Sequence, residues 1–551
     1  MGLINVLSTI FLPSFSNLGE VSLKHEWLCK IIGALINFVG DVGLGIILFT
    51  VILKLITLPL DIYSRASTKK NSLKMEMMKD DLEKLKKQYK NNERLYQQKM
   101  MALYKKNGYS AFSACLPTLV TLIFFIIVIG AFNNYSRFAD KEVFNQMGKS
   151  YTQSLDSYTT EEKGSALVKS QEGDKYYVNF NAVIKEKNYQ DYFVGYEAGV
   201  VNTETSIYKL NFVNFSASNS LILKDYPQLS EYLTEGKLNI SNKELLNQVE
   251  QYCHTFIINK LGVNVTENSD IISVVNAEKG IYYIDNLQAF YQKFAGASAY
   301  INKDGENSYV IKYSDLLNGE LNLLFNEIGQ DYVCDKALKV IGNDYLNKKV
   351  KLDARKSSAK AYEEHASKSV IFPWVKNLWV VDSPFKTAIP LFEELEKTLG
   401  AENVKDLKGT YHDNLSCYEE LTYDLKDKYQ QKGFGKGNGL FILVALSILT
   451  MLGSTIIMNK QQKTQMQLSS VDGENSQAAA TQKMMTWMMP IMFGVFAFIY
   501  SSAFSIYMIT SSLLSTGFTL LINFFVERAF KKQVEEIEKQ KAEKIKYGKR
   551  R

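Results

Sequence analysis

The chain has 551 residues, 22% charged and 46% hydrophobic, with a formal net charge of +6. Its mean hydropathy of −0.13 averages long apolar runs with a polar middle section, so totals alone exclude neither a membrane protein nor a soluble domain. His25, His254, His365 and His412 offer no metal-ligand spacing, and no phosphate loop, GxSxG or Cys–His couple near a span is present, which argues against metal, nucleotide and hydrolase chemistry.

In chain order, residues 1–30 are expected to be an external amphipathic segment, because the apolar start has neither the basic residues nor the cleavage site of a signal peptide. Residues 31–60 form the first run matching the roughly 20 apolar residues that cross hydrocarbon. Residues 61–110 then mix charge with Leu73, Met77, Leu82 and Leu85, and after Asn91-Asn92 with Leu95, Met100 and Leu103, up to Gly108. That pattern predicts a helical hairpin, with a plain connector and a docking arm both open. A second span is expected at 111–133.

Residues 134–368 alternate first as strands do, around Tyr176, Phe193 and Tyr208, and later as helices do, which predicts an inserted external α+β domain. Residues 369–438 form a juxtamembrane segment. Its Trp374 and Trp379 suit a membrane interface, and it closes in a Gly-rich hinge. Further spans are expected at 439–459, 484–500 and 503–526, with a loop at 460–483 and a basic tail at 527–551. Cys29, Cys115, Cys253, Cys334 and Cys417 have no compact spacing, so no disulfide framework is expected.

Charge sets the expected orientation. Residues 61–110 hold 13 basic and 6 acidic side chains and the tail 10 and 5, whereas 134–438 hold 35 basic and 42 acidic. Short basic loops stay cytosolic. With five spans the hairpin, the 460–483 loop and the tail share the cytosolic side, and the large domain lies outside. The tail suits anionic lipid headgroups or rRNA phosphates alike.

Lys54 is the one basic residue deep in the first span. A cation in hydrocarbon costs at least ~2.5 kcal/mol, so it either snorkels to headgroups or faces a wet cavity. Thr50, Lys54 and Thr57 share a helix face at 100° per residue. Thr118 and Thr121 pair likewise on the second span, Ser447, Thr450 and Ser454 on the third, and Ser501, Ser505, Ser512, Ser515 and Thr516 on the last. Small hydroxyl residues also favour close helix packing, so each stripe alone has two readings. The spans carry almost no carboxylates, which weighs against an ion-driven transporter.

The order of parts resembles the YidC/Oxa/Alb insertase family. The resemblance rests on Leu58-Pro59-Leu60 ending a span, then the charged hairpin, Lys105-Lys106-Asn107-Gly108, and Cys115-Leu116-Pro117. It continues in Trp374 to Trp379 with Asp382-Ser383-Pro384, in Met488 to Phe493, and in Tyr507. It implies an all-α polytopic membrane protein with a five-helix insertase core and a cytosolic helical hairpin, here with the added α+β domain. The core would surround a hydrophilic groove closed to the outside. The implied substrates are nascent membrane proteins entering the lipid bilayer, with the Sec translocon and the ribosome as partners, in the bacterial cell membrane. No catalytic residue, cofactor, metal or specific DNA is implied. By position, Lys54 matches the groove cation, and Thr50, Thr57, Thr121, Ser447, Ser505, Tyr507 and Ser512 line the groove. Departures are Lys54 where Arg is usual, Thr121 for Gln, Met508 for Trp, and the large domain between the second and third spans. A small-solute transporter or channel, or a membrane-anchored external binding domain, are the alternative readings of the same spans.

Overall fold

The computed structural model describes residues 9–11, 26–90, 92–108, 111–170, 175–239, 241–249, 272–276, 281–284, 286, 288–289, 292, 302–303, 309–311, 320–399, 411–469, 488, 491–492 and 494–548. The chain is mostly helical. Its long helices are α1 (Glu26–Val39), α2 (Val42–Gln88), α3 (Glu93–Lys106), α4 (Ala111–Ser157), α5 (Glu320–Tyr345), α6 (Lys351–His365), α7 (Ile442–Ser469) and α8 (Ser502–Gly548). It divides into two compact units, one of Met1–Ser14 with Lys149–Ser357 and the other of Phe15–Gly148 with Ser358–Arg551.

In the first unit, β1 (Thr9–Phe11), β2 (Leu167–Lys169) and β3 (Lys175–Val178) form an antiparallel sheet in the order β1-β3-β2. The expected amphipathic segment at 1–30 thus contributes a strand to this sheet and the first residues of a helix, and its other residues lie outside the described ones. The β-branched Thr9 and Ile10 with Phe11 complete a sheet, and α1 already begins at Glu26. The strand-like run from Lys175 stops at Val178 because Asn179 turns the chain, its side chain accepting from Ala182 N at 3.3 Å at the start of a short helix. Buried tyrosines join these elements to α5 and α6. Tyr345 Oη donates to Glu186 at 2.6 Å, Tyr158 Oη to Asp353 at 2.7 Å and Tyr226 Oη to Asp344 at 3.0 Å.

The second unit is a helical bundle. The apolar run 31–60 is not one span but two helices. Gly40, at φ +74°, ends α1, and the Asp41 carboxylate accepts from Leu44 N at 2.8 Å to start α2. Burial alone pushes the Asp41 carboxyl up, but the backbone N–H groups of Leu44 and Val370 and the Ser369 hydroxyl hold it below its ordinary value. Nor is the first hairpin arm a separate helix, since α2 continues unbroken through Pro59 to Gln88. Met78 and Leu82 then pack on Met100, Leu103 and Tyr104 of α3. Among the described residues, Val42–Asn71 and Ser502–Lys532 are long and apolar enough to cross a membrane, and Trp27–Val39 and Ile442–Ile457 are shorter apolar helices. The expected loop does not begin at 460, because α7 continues to Ser469, and residues 470–483 lie outside the described residues. In the expected span at 484–500, residues 494–499 are helical, while 484–487, 489–490 and 493 lie outside the described residues.

Candidate functional site: a polar seam within the bundle

α2 is built inside out. Leu55 (53% exposed), Ile56 (65%) and Tyr63 (66%) form its open, apolar side. Lys54, Thr57, Asp61 and Arg65 are only partly exposed and lie on the sheltered side. Residues 54, 61 and 65 fall within about 40° of one another at 100° per residue, so the three charges make one line down the helix. Apolar outside and charged inside is the arrangement of a helix whose solvent is lipid. Thr50, fully buried, donates to Ile46 O at 2.7 Å, and Thr57 donates to Lys54 O at 3.2 Å, so both hydroxyls are satisfied on their own helix.

Packing changes abruptly along the bundle. Its apolar core gathers Ile32 of α1, Ile46 and Phe49 of α2, Val128 and Phe132 of α4, Leu443 of α7, and Phe504 and Met508 of α8. Phe132 meets Phe49 edge-on at 5.8 Å and Tyr507 at 5.7 Å. Past Thr50 on α2 and Ser447 on α7 the following residues are only partly buried or exposed until well beyond Lys54. Lys54 lies about 7.5 Å beyond Phe49 at 1.5 Å per residue, hence just below the packed layer.

Polar groups occupy this looser region. Ser454 of α7 bonds to Ser512 Oγ at 2.7 Å and to Thr516 Oγ1 at 2.6 Å, while Ser512 donates to Thr450 O at 3.3 Å. Further along, Arg65 Nη2 donates to Thr519 Oγ1 at 2.7 Å and ties α2 to α8. These contacts run in register, so α2, α7 and α8 are parallel and Lys54 falls between the Phe49 and Arg65 levels, beside the Tyr507–Ser512 stretch of α8. Among the described residues the Lys54 ammonium has neither ion pair nor hydrogen bond. Ser505 is fully buried, and among the described residues its hydroxyl has no partner. The structure thus brings Ser512 to the α7–α8 seam and Thr50, Lys54 and Thr57 to the sheltered face of α2, while Ser447 donates to Val444 O on its own helix and Tyr507 packs on Phe132 of α4. The Thr121 side chain lies outside the described residues.

The end of the bundle where these helices begin is knotted shut. Asp382, fully buried, accepts from Leu440 N (2.7 Å), Phe441 N (3.1 Å) and Leu443 N (2.6 Å) at the start of α7. Phe441 holds φ +63°, unusual for an aromatic residue, and any Cβ at Gly439 would lie 1.9 Å from Asp382 Oδ1. Asn438 donates to the carbonyls of Asn377, Val380 and Val381, and Val380 O also accepts from Ser502 N at 3.0 Å at the start of α8. Trp379 belongs to this knot. It is 5% exposed and packs on Tyr135 at 4.9 Å, so it is core rather than an interfacial anchor. Trp374 is partly buried against the same core, edge-on to Phe372 at 5.8 Å. Beside the knot, Asp140 and Tyr362 line a cavity with room for roughly one water. Among the described residues Asp140 receives one long 3.5 Å bond, from Asn377, and burial pushes its carboxyl up to about 7.

Sequence reasoning missed Arg65, Thr519, Asn438 and Asp140, and singled out Asp382 only as part of a motif, without its role at the start of α7. Arg65 was within reach of the 100° projection had it been carried three turns past Lys54. The others depend on contacts between distant segments. Among the described residues no group of three His, Cys, Asp or Glu side chains is placed to hold a metal.

The family model described as 60Kd inner membrane protein matches residues 34–159 and 371–530, two segments that bracket most of the first unit. Several bacterial proteins named membrane protein insertase YidC are similar over shorter stretches. The one from Treponema denticola is 34% identical over 96 residues, 17% of this chain and 16% of that protein. The Clostridium tetani protein is 38% identical over 92 residues, 17% of this chain and 40% of its own length. The Fusobacterium nucleatum protein is 30% identical over 109 residues, 20% of this chain and 51% of its own length. This chain therefore matches about half or less of each relative's length. No solved structure matches. With the matched segments carrying the bundle, its polar seam and its knotted end, the chain belongs to the 60Kd inner membrane protein family, that of the YidC/Oxa1/Alb3 proteins.

Proposed function

We propose that this chain is a membrane protein insertase that passes nascent chains into the bilayer along the polar seam. The observation that carries the reading is Lys54: a cation on the sheltered side of a membrane-length helix, immediately below the packed layer, with no partner of its own among the described residues. A substrate's acidic flank would supply the missing charge, shortening its path through hydrocarbon, while its apolar helix leaves sideways into lipid. Water held by the hydroxyls of Thr57, Thr450, Ser454 and Ser512 lowers the cost of both charges. In this reading five spans form the core, and the α2–α3 hairpin and the C-terminal tail are cytosolic. The knot around Asp382 closes the outer end, and the Lys149–Ser357 unit lies outside. Trp374 is kept as an interfacial anchor, and the Sec translocon and ribosome as partners.

The test is rescue of bacterial cells depleted of their own insertase, with the wild type, Lys54→Arg and Lys54→Ala compared at equal expression. The expected result is rescue by the wild type and Arg, and impaired insertion by Ala for substrates with acidic translocated flanks. Photocrosslinkers at Thr57 and Ser512 should capture nascent membrane proteins. Solute flux through liposomes holding the protein, with no crosslinking to nascent chains, would favour a transporter instead.

A further inference from the structure

The charge line on α2 contains more than a cation. Asp61 lies on the same sheltered face as Lys54 and is partly buried, while its neighbours Ile62 and Tyr63 are exposed. Its field reaches both Lys54 and Arg65. An Asp four residues before an Arg is well placed for a pair within one helix. Yet Arg65 turns away and donates to Thr519 at 2.7 Å, across to α8. Among the described residues Asp61 therefore has neither an ion pair nor a hydrogen bond. The face reads positive, negative, positive, with the upper two groups uncommitted and the lowest one used to hold two helices together.

We propose that Asp61 is a specificity-determining residue that receives a Lys or Arg on the retained flank of the substrate, while Lys54 receives the acidic translocated flank. This rests on the insertase reading above. Its chemistry follows from the flanks of membrane helices, since the retained flank is the basic one. The two sites are about 10 Å apart along α2 at 1.5 Å per residue, so they meet both flanks together when the substrate enters as a hairpin, its flanks side by side and its apolar span looped towards lipid. Arg65, hydrogen-bonded to Thr519, contributes a field at Asp61 but no ion pair, so the carboxylate can still take a substrate cation. A chain entering with its charges reversed would meet like charge at both levels. The pair therefore selects orientation as well as binding.

The test uses the full-length protein in liposomes of fixed anionic lipid content and a single-span substrate with an acidic translocated flank. The retained flank carries either Lys or Glu next to the span. Protease protection reads the fraction correctly inserted, for wild type, Asp61→Asn, Asp61→Lys and Lys54→Ala. The expected result is that Asp61→Lys lowers insertion of the Lys-flanked substrate by about two- to fivefold, the range of one partly screened charge pair. The same variant should raise insertion of the Glu-flanked one. Asp61→Asn keeps the side chain's shape, so it should fold and fall between. Indifference of both Asp61 variants to the sign of the retained flank, with Lys54→Ala still impaired, would overturn this inference and leave the insertase reading standing. Failure of the wild type to insert either substrate would overturn both.

Discussion

Tyr345 and Lys54 each remove a polar atom from bulk water, and they end in opposite conditions. Tyr345 Oη donates to Glu186 at 2.6 Å, and Lys349 pairs with the same carboxylate. The same grouping recurs through the Lys149–Ser357 unit. Tyr158 and Lys163 share Asp353, at 2.7 and 3.1 Å, and Tyr332, Tyr232 and Lys336 share Glu244. Every member there has its complement, as expected of groups whose task is to hold a fold. In the bundle, Lys54 and Asp61 sit sheltered within each other's field, and among the described residues neither makes an ion pair or a hydrogen bond. A polar group kept in a costly position without a partner points to a partner that arrives from elsewhere. The contrast separates charges that build from charges that wait.

It can be broken most decisively at Asp382, the buried charge best supplied with partners. Asp382→Ala leaves the N–H groups of Leu440, Phe441 and Leu443 orphaned, and at about 1–3 kcal/mol each the loss should exceed about 3 kcal/mol. Thermal unfolding of the purified protein in detergent would show it as a large fall in Tm. A small change would mean that this knot is not what holds the start of α7.

Asp140 sharpens the comparison because it is intermediate, with one long bond and a carboxyl pushed up to about 7 by burial. Its folded pKa lies above the unfolded value of 3.8, so the folded state keeps a proton that the unfolded chain has lost. Stability should therefore fall as pH rises from about 4 to about 7 and level off above, by at most about 4 kcal/mol at ~1.4 kcal/mol per pKa unit. Residual access of solvent to the carboxyl reduces the expected figure to about 2 kcal/mol. Asp140→Asn should flatten that slope, and its Tm should exceed that of the wild type at pH 8 but not at pH 4.

Much of the bundle was legible in the sequence, and little of the tyrosine network was. Apolar runs and the 100° projection depend on residues a few positions apart, so Lys54, Thr57 and the Ser512–Thr516 stripe could be placed before any contact was known. The break at Gly40 was hidden because Gly40-Asp41 sits within an apolar run whose length alone suggested one span. Tyr158 and Asp353 are 195 residues apart, and Tyr345 and Glu186 are 159 apart, so no local pattern announces either pair. The inward turn of Asp382 likewise needs the Gly439 loop folded over it.

The carboxylate pairs themselves should yield smaller effects. Burial alone would raise the Glu186 carboxyl, but Lys349 and Tyr345 hold it below its ordinary value. Glu244 is lowered by Lys336 and Tyr332. Depressed carboxylates contribute stability above their unfolded pKa, which disappears as pH falls through the folded value. The Lys149–Ser357 unit should thus weaken progressively below about pH 4.5, as Glu becomes protonated. Tyr345→Phe should cost about 1 kcal/mol at pH 7, the net worth of one hydrogen bond, and less at pH 3, as read by melts across that range.

Lys54 should give the smallest stability change of all, and this is where the two kinds of charge part most clearly. If the ammonium were a structural member like Lys349, replacing it by Met would leave a buried acceptor unpaired and lower Tm. No such acceptor surrounds it among the described residues, and Met is close in length and apolar, so Lys54→Met should shift stability by no more than about 0.5 kcal/mol, and upward if at all. Insertion of acid-flanked substrates should nevertheless drop, and Lys54→Arg should restore it, because the charge and not its hydrogen-bonding geometry is what the substrate meets. A Met variant that melts early would place Lys54 among the building charges, and the seam would lose the one group that gives it a direction. A Met variant that melts normally and inserts poorly would show that the cost of holding this cation is offset only when a substrate is present.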